Sequence, residues 1–461
     1  MARSRRQQAA AGRAVKNGSI SPTQRVHGPG IEFSTLAAIS VIFVLGLCVR
    51  YQSLNLPSYA GTKLLSSETR WRPAALGTNM EHDEQIYVAL VQQLDAGKGY
   101  TLQGHRVLDE PWIVREQYDR PVFFHPPGGI AFFWLMHRLA GDAGYAWAQL
   151  LSYTIFFVGL VIIGWTIIPA LDSLAVLALA ILAAFSPIMA NVTGRFWLDG
   201  PLLAFSTAAA ACFLLGLRRD RTGLAAVGAL LLGFASLIKL TAFLIVPGVL
   251  ALAVVTSHRE RPGKLFRTSA YFVLIALACQ LPWELWQWHL TGTAFPVWAG
   301  RPSPELVRNN LFVRYVTEMR SPWVYLELLP QVLWTIGPSL VLLAFHWRDR
   351  ASRALGFGLM IWIAAVVGAN VSLGALGYSK LLRYAILVTP ATILLFTLVV
   401  DRCMKSFRST PGTARFAMFV LLLLAGAGLA LEVVQGLRTS LIDNASWDLI
   451  VPLAGLSGIT R

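Results

Sequence analysis

The chain has 461 residues, of which 55% are hydrophobic and 14% are charged, and its mean hydropathy is +0.57. Soluble domains average about 25% charged residues, so the composition excludes an ordinary soluble protein and favours a polytopic membrane protein. The net charge of +15 does not indicate nucleic-acid binding, because the basic residues lie in short loops between apolar runs and accompany no nucleic-acid motif.

Continuous apolar runs predict an all-α fold with about eleven membrane-spanning helices. Runs of roughly 18 residues cross a hydrocarbon core of roughly 30 Å as helices, whereas a β-barrel would need shorter, alternating segments. In chain order, the spans are predicted at about 33–50, 145–168, 174–190, 200–217, 223–238, 241–256, 268–288, 323–345, 354–376, 383–400 and 416–435.

The segments outside the spans are few. Residues 1–30 are basic and are predicted to be disordered and cytoplasmic. A long outer loop, about 51–144, follows the first span, and within it residues 126–140 are apolar but too short to cross the membrane, so they predict a juxtamembrane helix. A second outer loop is predicted at about 289–322, and a short outer tail at 436–461.

The charge of the loops sets the predicted orientation. Basic residues are in excess in the predicted inner loops 218–221, 257–267, 346–353 and 401–415, whereas loop 169–173 carries only Asp172. This is the positive-inside pattern, and it predicts a multi-pass protein of the plasma (inner) membrane with a cytoplasmic N-terminus. The remaining charged and polar clusters then fall on the outer side, which suggests one site there.

The first of these clusters is the acidic pair Asp83–Glu84, in the string EHDEQIY that follows the first span. A carboxylate can act as a general base on a hydroxyl, or can bind a divalent metal. The alternative is a solvated pair, or two charges that favour a helix N-terminus.

Three further candidate sites lie in the middle of the chain. His125 precedes a diproline that fixes the backbone where the chain meets the membrane, and it could bind a phosphate or a metal, or be an ordinary interfacial histidine. Arg195 and Asp199 lie at the outer end of the fourth span, as site residues or as a local i,i+4 ion pair. Lys239 separates two spans, as a site residue or as a snorkelling lysine.

The last cluster is Lys380, Arg383 and Tyr384 at the outer mouth of the tenth span. Lysine and arginine together suit a phosphate at the level of the lipid headgroups. The alternative is an interfacial anchor of aromatic and basic residues.

Together these strings resemble the GT-C class of polytopic glycosyltransferases, and within it the branch of protein O-mannosyltransferases and lipid A aminoarabinose transferases. Asp83–Glu84 is similar to the first-loop DE motif of that branch. One departure from the family pattern is Leu240, which follows Lys239 where the family has a glycine. Five later strings are similar to family segments and occur in the same order: HPPGGIAFFWL, RFWLDGPLLAF, GFASLIKL, LPWELWQWHLTG and YSKLLRYAILVTPA. By this resemblance, residues 31–435 are expected to form a GT-C-like catalytic domain.

The resemblance implies inverting transfer of a sugar, a hexose or a pentose, from a polyprenyl-phosphate carrier to an acceptor hydroxyl on the outer face. Asp83 would be the general base, and Glu84 would position the site or help to hold a metal. The resemblance also implies donor-phosphate-binding roles for Arg383, Lys380, Arg195 and Lys239, and supporting roles for Tyr87, His125, Asp199 and Tyr384.

A divalent metal is optional in this interpretation: His82, Glu84 and His125 could bind one, but their spacing is no recognised metal signature. The acceptor could be a lipid, a glycan or a protein, and the sequence does not identify the sugar. The alternative function is a transporter or flippase of lipid-linked sugars. Transporters place charges near the bilayer midplane and often contain inverted repeats, and neither pattern is present here.

Overall fold

A computed structural model describes residues 33–55, 82–104, 121–123, 125–256, 262–292, 304–309, 314–327, 349–409, 411–438 and 440. These residues form helices and connecting loops, with no strand among them. The α-helices are α1 (Phe33–Asn55), α2 (His82–Asp95), α3 (Gly128–Ala140), α4 (Ala143–Ile167), α5 (Ser173–Phe185), α6 (Pro187–Thr193), α7 (Asp199–Arg218), α8 (Thr222–Ile238), α9 (Val246–Thr256), α10 (Pro262–Thr291), α11 (Pro304–Asn309), α12 (Arg350–Ala375), α13 (Thr389–Ser409) and α14 (Thr413–Arg438).

The all-α, polytopic fold is confirmed. Within the described ranges, 7 helices are long and apolar enough to cross a membrane, and the pair α5 and α6, bent by 41°, raises the number to 8. Helices α8 and α9 coincide with two further predicted spans but are shorter. The predicted span at 323–345 lies largely outside the described residues, as do the N-terminal segment 1–30 and most of the tail 436–461.

Three predicted spans are interrupted near the same end of the bundle. The span at 174–190 bends at Ser186 and continues as α6, the span at 241–256 starts as a 3₁₀ helix (Leu240–Ile245), and the span at 383–400 starts as another (Leu382–Val388). Non-helical backbone at membrane depth persists only where protein covers it or where it lines a cavity. These breaks therefore mark the end of the bundle where a site can form.

The described parts of the segments that were predicted to be internal meet at the opposite end of the bundle. Arg408 contacts Asp172 at 2.6 Å, and Asp401 accepts hydrogen bonds from the Asp172 backbone and from Lys405, each at 2.8 Å. Asp172 lies in the one predicted inner loop without a basic excess, and it is neutralised by Arg408 in the last turn of α13.

Three more contacts lie at this end. Lys264 pairs with Asp220, and Arg218 donates a hydrogen bond to the Trp165 carbonyl at 2.7 Å. Arg402 reaches Asp349 at 3.9 Å. The assignment of this end to the cytoplasm stays a prediction.

The long outer loop holds α2 and α3. The predicted juxtamembrane helix begins at Gly128, after the diproline, rather than at Pro126. Helix α2 buries the run Ile86–Val91 in the main apolar core, so it packs as part of the bundle and not as a solvated loop.

Candidate active site

Helix α2 begins with the predicted acidic pair, and its two carboxylates diverge. Asp83 and Glu84 lie in the first helical turn, where the helix dipole favours negative charge. Glu84 is fully buried and its Oε1 accepts a hydrogen bond from the Phe196 backbone N–H at 2.9 Å. Glu84 thereby ties the start of α2 to the loop between α6 and α7, while Asp83 faces a different partner.

That partner is Arg383, whose Nη2 contacts the Asp83 carboxylate. Both side chains are largely but not fully buried. The two residues are 300 positions apart in the sequence, so the contact brings the first outer loop and the start of the tenth predicted span to one place. The predicted association of the acidic pair with a late basic motif is therefore present in the structure.

Trp197 connects two of the predicted phosphate-binding cations. The guanidinium of Arg383 lies 4.8 Å from the centre of the Trp197 ring, and that of the fully buried Arg195 lies 5.2 Å from it. Such distances permit cation–π attraction. Trp197 was not singled out from the sequence, although an aromatic residue between an arginine and an aspartate in RFWLD was the available signal.

Asp199 pairs with Lys239, not with Arg195. Lys239 Nζ lies 2.8 Å from Asp199 Oδ1, and the side chains are 12% and 2% exposed. The local i,i+4 alternative for Asp199 is thus replaced by a contact between two helices. Lys239 also lies 5.9 Å from the ring of Tyr384, which in turn lies 5.9 Å from the Arg383 guanidinium.

His125 and Tyr87 complete the cluster. Burial, followed by the charge of Lys239, lowers the pKa of His125 to about 3, and the charges of Asp83 and Arg383 also act on it. His125 is therefore neutral at neutral pH. Burial, followed by the negative charge of Asp83, raises the pKa of the Tyr87 hydroxyl well above its usual value, so it stays protonated and can donate a hydrogen bond.

The HPPGG segment holds His125 in place through close backbone packing. A Cβ atom at Gly128 would lie 2.8 Å from the backbone carbonyl carbon of Leu237, two residues before Lys239. A Cβ atom at Gly129 would lie 2.6 Å from the Leu198 side chain. Only glycine allows α3 to approach both α8 and the start of α7 so closely.

The described contacts of Lys380 are with the segment 315–320 and not with the charged cluster. Its ammonium group contacts the Thr317 carbonyl, its backbone N–H bonds to Val316 at 2.9 Å, and its carbonyl accepts from Arg320 at 2.9 Å. Burial lowers its pKa. The contacts described for Lys380 hold the segment 315–320, and they do not include Asp83 or Arg383. Its predicted role at the phosphate stays a prediction.

The described residues do not form a metal centre. Among them, no group of three His, Cys, Asp or Glu side chains is close enough to hold a metal ion. Glu84 directs one carboxylate oxygen to the Phe196 N–H, and the side chain of His82 lies outside the described residues. The cluster instead offers cations, a carboxylate and neutral hydrogen-bonding groups, which suits an anionic ligand and a proton transfer.

Comparisons with known proteins agree with the motifs. Residues 124–286 match the family model described as dolichyl-phosphate-mannose-protein mannosyltransferase. No curated protein matches the sequence at a significant level.

Several solved structures share the fold. ArnT from Cupriavidus metallidurans in the apo state has a TM-score of 0.54 and 17% identity, over 89% of this chain and 78% of ArnT. The same ArnT bound to undecaprenyl phosphate has a TM-score of 0.52 and 16% identity, over 88% and 78%. The Archaeoglobus fulgidus oligosaccharyltransferase in the apo form has a TM-score of 0.51 and 12% identity, over 87% of this chain and 56% of that protein.

These likenesses establish a fold. The resemblance to the GT-C class of polytopic glycosyltransferases is confirmed. The chain spans little more than half of the oligosaccharyltransferase, 56% of its length.

Proposed function

We propose that this chain is a membrane glycosyltransferase that moves a sugar from a polyprenyl-phosphate carrier to an acceptor hydroxyl, with inversion at the anomeric carbon. The observation that carries the proposal is the contact between Asp83 and Arg383, 300 residues apart, beside Arg195 and the Lys239–Asp199 pair. A family model of dolichyl-phosphate-mannose-protein mannosyltransferases and an ArnT structure with undecaprenyl phosphate support this class of donor.

In the proposed reaction, the acceptor oxygen attacks the anomeric carbon of the donor. The bond from that carbon to the phosphate oxygen breaks, and its electron pair leaves with the carrier phosphate, whose charge rises from −1 to −2. Asp83 takes the proton of the acceptor hydroxyl as the new bond forms, in the manner of general base catalysis. A phosphate leaving group needs no protonation, so one carboxylate is sufficient, unlike in most glycoside hydrolases.

The charge that grows on the phosphate requires preplaced cations. Arg383 and Arg195, both in contact with the Trp197 ring, supply guanidinium groups that can bind phosphate oxygens through two hydrogen bonds. Lys239 adds a third positive group that Asp199 orients. Fixed charges in a buried site stabilise a developing anion without reorganisation at the moment of reaction.

The donor must separate Asp83 from Arg383. In an inverting displacement, the base and the leaving group lie on opposite faces of the anomeric carbon. The two side chains are in direct contact in the structure, so no sugar ring fits between them as they stand. The donor phosphate, whose oxygens can bind the Arg383 guanidinium through two hydrogen bonds, would take over Arg383 and release the Asp83 carboxylate toward the acceptor.

The predicted topology supports a proposal for the place of the reaction. Asp83, Arg195, Lys239 and Arg383 lie at the end of the bundle opposite the basic loops, which the positive-inside rule puts in the cytoplasm. We therefore place the reaction on the outer face of the plasma (inner) membrane, with a hydroxyl of a lipid, glycan or protein as acceptor. Charges gathered at one end fit a transferase better than a transporter with a midplane site.

The test is release of free polyprenyl phosphate from a panel of polyprenyl-phosphate sugars by purified protein in detergent. Wild-type protein should release carrier from at least one donor, and Asp83→Asn should not, although the variant still folds and binds the carrier. Asp95→Asn is the matched control, because Asp95 lies at the other end of α2 and pairs with Arg138 at 2.7 Å. Activity of Asp83→Asn near the wild-type level would remove Asp83 from the role of base.

A further inference from the structure

Helix α10 buries a row of polar side chains on one face, although the rest of its surface is mostly apolar. Gln280, Trp283 and Gln287 are 4%, 4% and 3% exposed. Their spacing places them on the same side of the helix, over a length of about 10 Å. They belong to the string LPWELWQWHLTG and its preceding glutamine, which the proposed reaction does not use. These three residues are here called the α10 polar row.

Four polar atoms of this row have no hydrogen-bond partners among the described residues. Both amide atoms of Gln280, the indole Nε1 of Trp283 and the Oε1 of Gln287 are buried and unsatisfied. Buried polar groups are nearly always paired, and several unpaired groups on one helix face need an explanation. One explanation is a bound ligand whose own donors and acceptors pair with these groups.

The row lies level with the cations of the candidate site. A Cβ atom at Gly233 of α8 would lie 2.6 Å from Cys279, which fixes the register between α8 and α10. Both helices begin at the inner end, where Asp220 and Lys264 pair, so they run in the same direction. Six residues further along each helix, Lys239 lies level with about Leu285, which is between Gln280 and Gln287.

A second contact joins the row to the site. The Trp283 ring packs edge-on against Tyr100, with ring centres 5.9 Å apart. The Tyr100 hydroxyl donates a hydrogen bond to the His125 carbonyl at 3.0 Å. Tyr100 therefore links Trp283 of the row to His125 of the candidate site.

We propose that the α10 polar row binds the sugar ring of the carrier-linked donor, an inference that rests on the proposed function. Two amides can donate to and accept from hydroxyl groups, and the indole N–H can donate. None of the three side chains carries a charge, so they suit a neutral ring with several hydroxyls and not the phosphate. Such a ring, attached to a phosphate held by Arg383 and Arg195, is the nearest neutral and polar group that the reaction supplies.

The test compares binding of two probes to purified full-length protein: a decaprenyl-phosphate sugar that the wild type turns over, and decaprenyl phosphate without a sugar. Gln280→Met and Gln287→Met keep the length of the side chain and remove its hydrogen bonds, and Trp283→Phe keeps a ring and removes the N–H. Trp288→Phe is the matched control, because Trp288 is 55% exposed on the same helix.

Each variant of the row should bind the sugar-bearing probe about tenfold more weakly, the loss expected for one hydrogen bond, and should bind the bare carrier as the wild type does. Equal weakening for both probes, or no change for either, would overturn the proposal. If the wild type turns over no decaprenyl-phosphate sugar and does not bind decaprenyl phosphate, the proposed function itself is refuted and the sugar subsite with it.

Stability provides a second readout. Because the described residues offer no partners to the unsatisfied atoms, Gln280→Met and Gln287→Met should unfold no more easily than the wild type. A clear loss of stability in both variants, without a selective loss of sugar binding, would show that the row has a structural role and would overturn the proposal.

Discussion

Replacement of Lys239 by methionine tests whether this residue stabilises the fold, the phosphate, or both. Lys239 Nζ lies 2.8 Å from Asp199 Oδ1, and the second oxygen, Oδ2, is buried without a hydrogen-bond partner among the described residues. Removing the lysine leaves a carboxylate that is 2% exposed and has lost its cation. Breaking a buried ion pair in this way costs about 3–5 kcal/mol.

Because Lys239 itself is 12% exposed, we expect Lys239→Met to lower the free energy of unfolding by about 3 kcal/mol, at the lower end of that range. The double variant Asp199→Asn, Lys239→Met removes both charges and should recover about 2 kcal/mol or more, since residues in direct contact couple by up to about 3 kcal/mol. Titration of the purified protein from mild detergent into SDS, followed by circular dichroism, measures these free energies.

The matched control is Lys264→Met. Lys264 pairs with Asp220, but Asp220 is 64% exposed, and such surface pairs contribute about 0–1 kcal/mol. A cost for Lys239→Met no larger than that of the control would refute the buried-pair argument. The double variant also separates the two roles of Lys239: a well-folded double variant with a raised KM for the donor would assign the lysine to the phosphate as well.

Four further predictions use other parts of the site. Arg383→Ala should weaken binding of decaprenyl phosphate and lower turnover by about 10²- to 10³-fold, as for loss of one anion-stabilising group; unchanged kinetics would remove it from the phosphate site. Gly128→Ala should cost about 1–3 kcal/mol through overpacking, whereas Gly223→Ala, where a Cβ atom meets nothing within 4 Å, should be neutral or slightly stabilising, and equal effects in unfolding experiments would contradict the close packing. The pKa of His125 is about 3 in the folded protein and about 6.5 in unfolded chains, so the unfolded state binds more protons between these values. The free energy of unfolding should therefore fall as the pH drops below 6.5. His125→Gln should make this fall less steep between pH 6.5 and 5. An impermeant maleimide should label Asp83→Cys in intact cells above the background of the native chain; labelling only after lysis would overturn the outer-face assignment.

The fold was predictable because membrane spans leave a strong signal. A run of apolar residues long enough to cross the bilayer has few alternatives to a helix. The break at Lys239 was predicted from the charge between two spans. The bend at Ser186 and the 3₁₀ segments Leu240–Ile245 and Leu382–Val388 were harder to predict, since each lies in a mostly apolar run and only packing decides where the α-helix begins or ends. The juxtamembrane helix was predicted from its length, and its start at Gly128 shows that the diproline belongs to the preceding loop.

The candidate site was predicted in part for a similar reason. The positive-inside rule predicted that Asp83 and Arg383 lie on the same side of the membrane, and the structure brings them into contact. Sidedness does not fix partners, however, so the contact of Lys380 with Thr317 and the pairing of Asp199 with Lys239 could not be predicted. Each of these contacts depends on how two helices pack, and the sequence alone contains no signal for it.

The α10 polar row was missed for a different reason. Glutamine and tryptophan inside an apolar run are ordinary residues near a membrane surface, and neither carries a charge that would attract attention. Their significance lies in burial without partners, which is a property of the packed structure alone. A search for charged residues therefore finds the part of the site that handles charge and overlooks a part that would handle hydroxyl groups.

The sequence separation of Asp83 and Arg383 has a consequence for biosynthesis. At about 5–20 residues per second, a ribosome needs roughly 15–60 s to add the 300 residues between them. Glu84 meets its partner Phe196 after only 112 residues, so the first half of the site is anchored long before its principal cation is made. A nascent chain that stalls in between would hold the Asp83 carboxylate without the guanidinium of Arg383, so the contact between them can form only when most of the chain has been made.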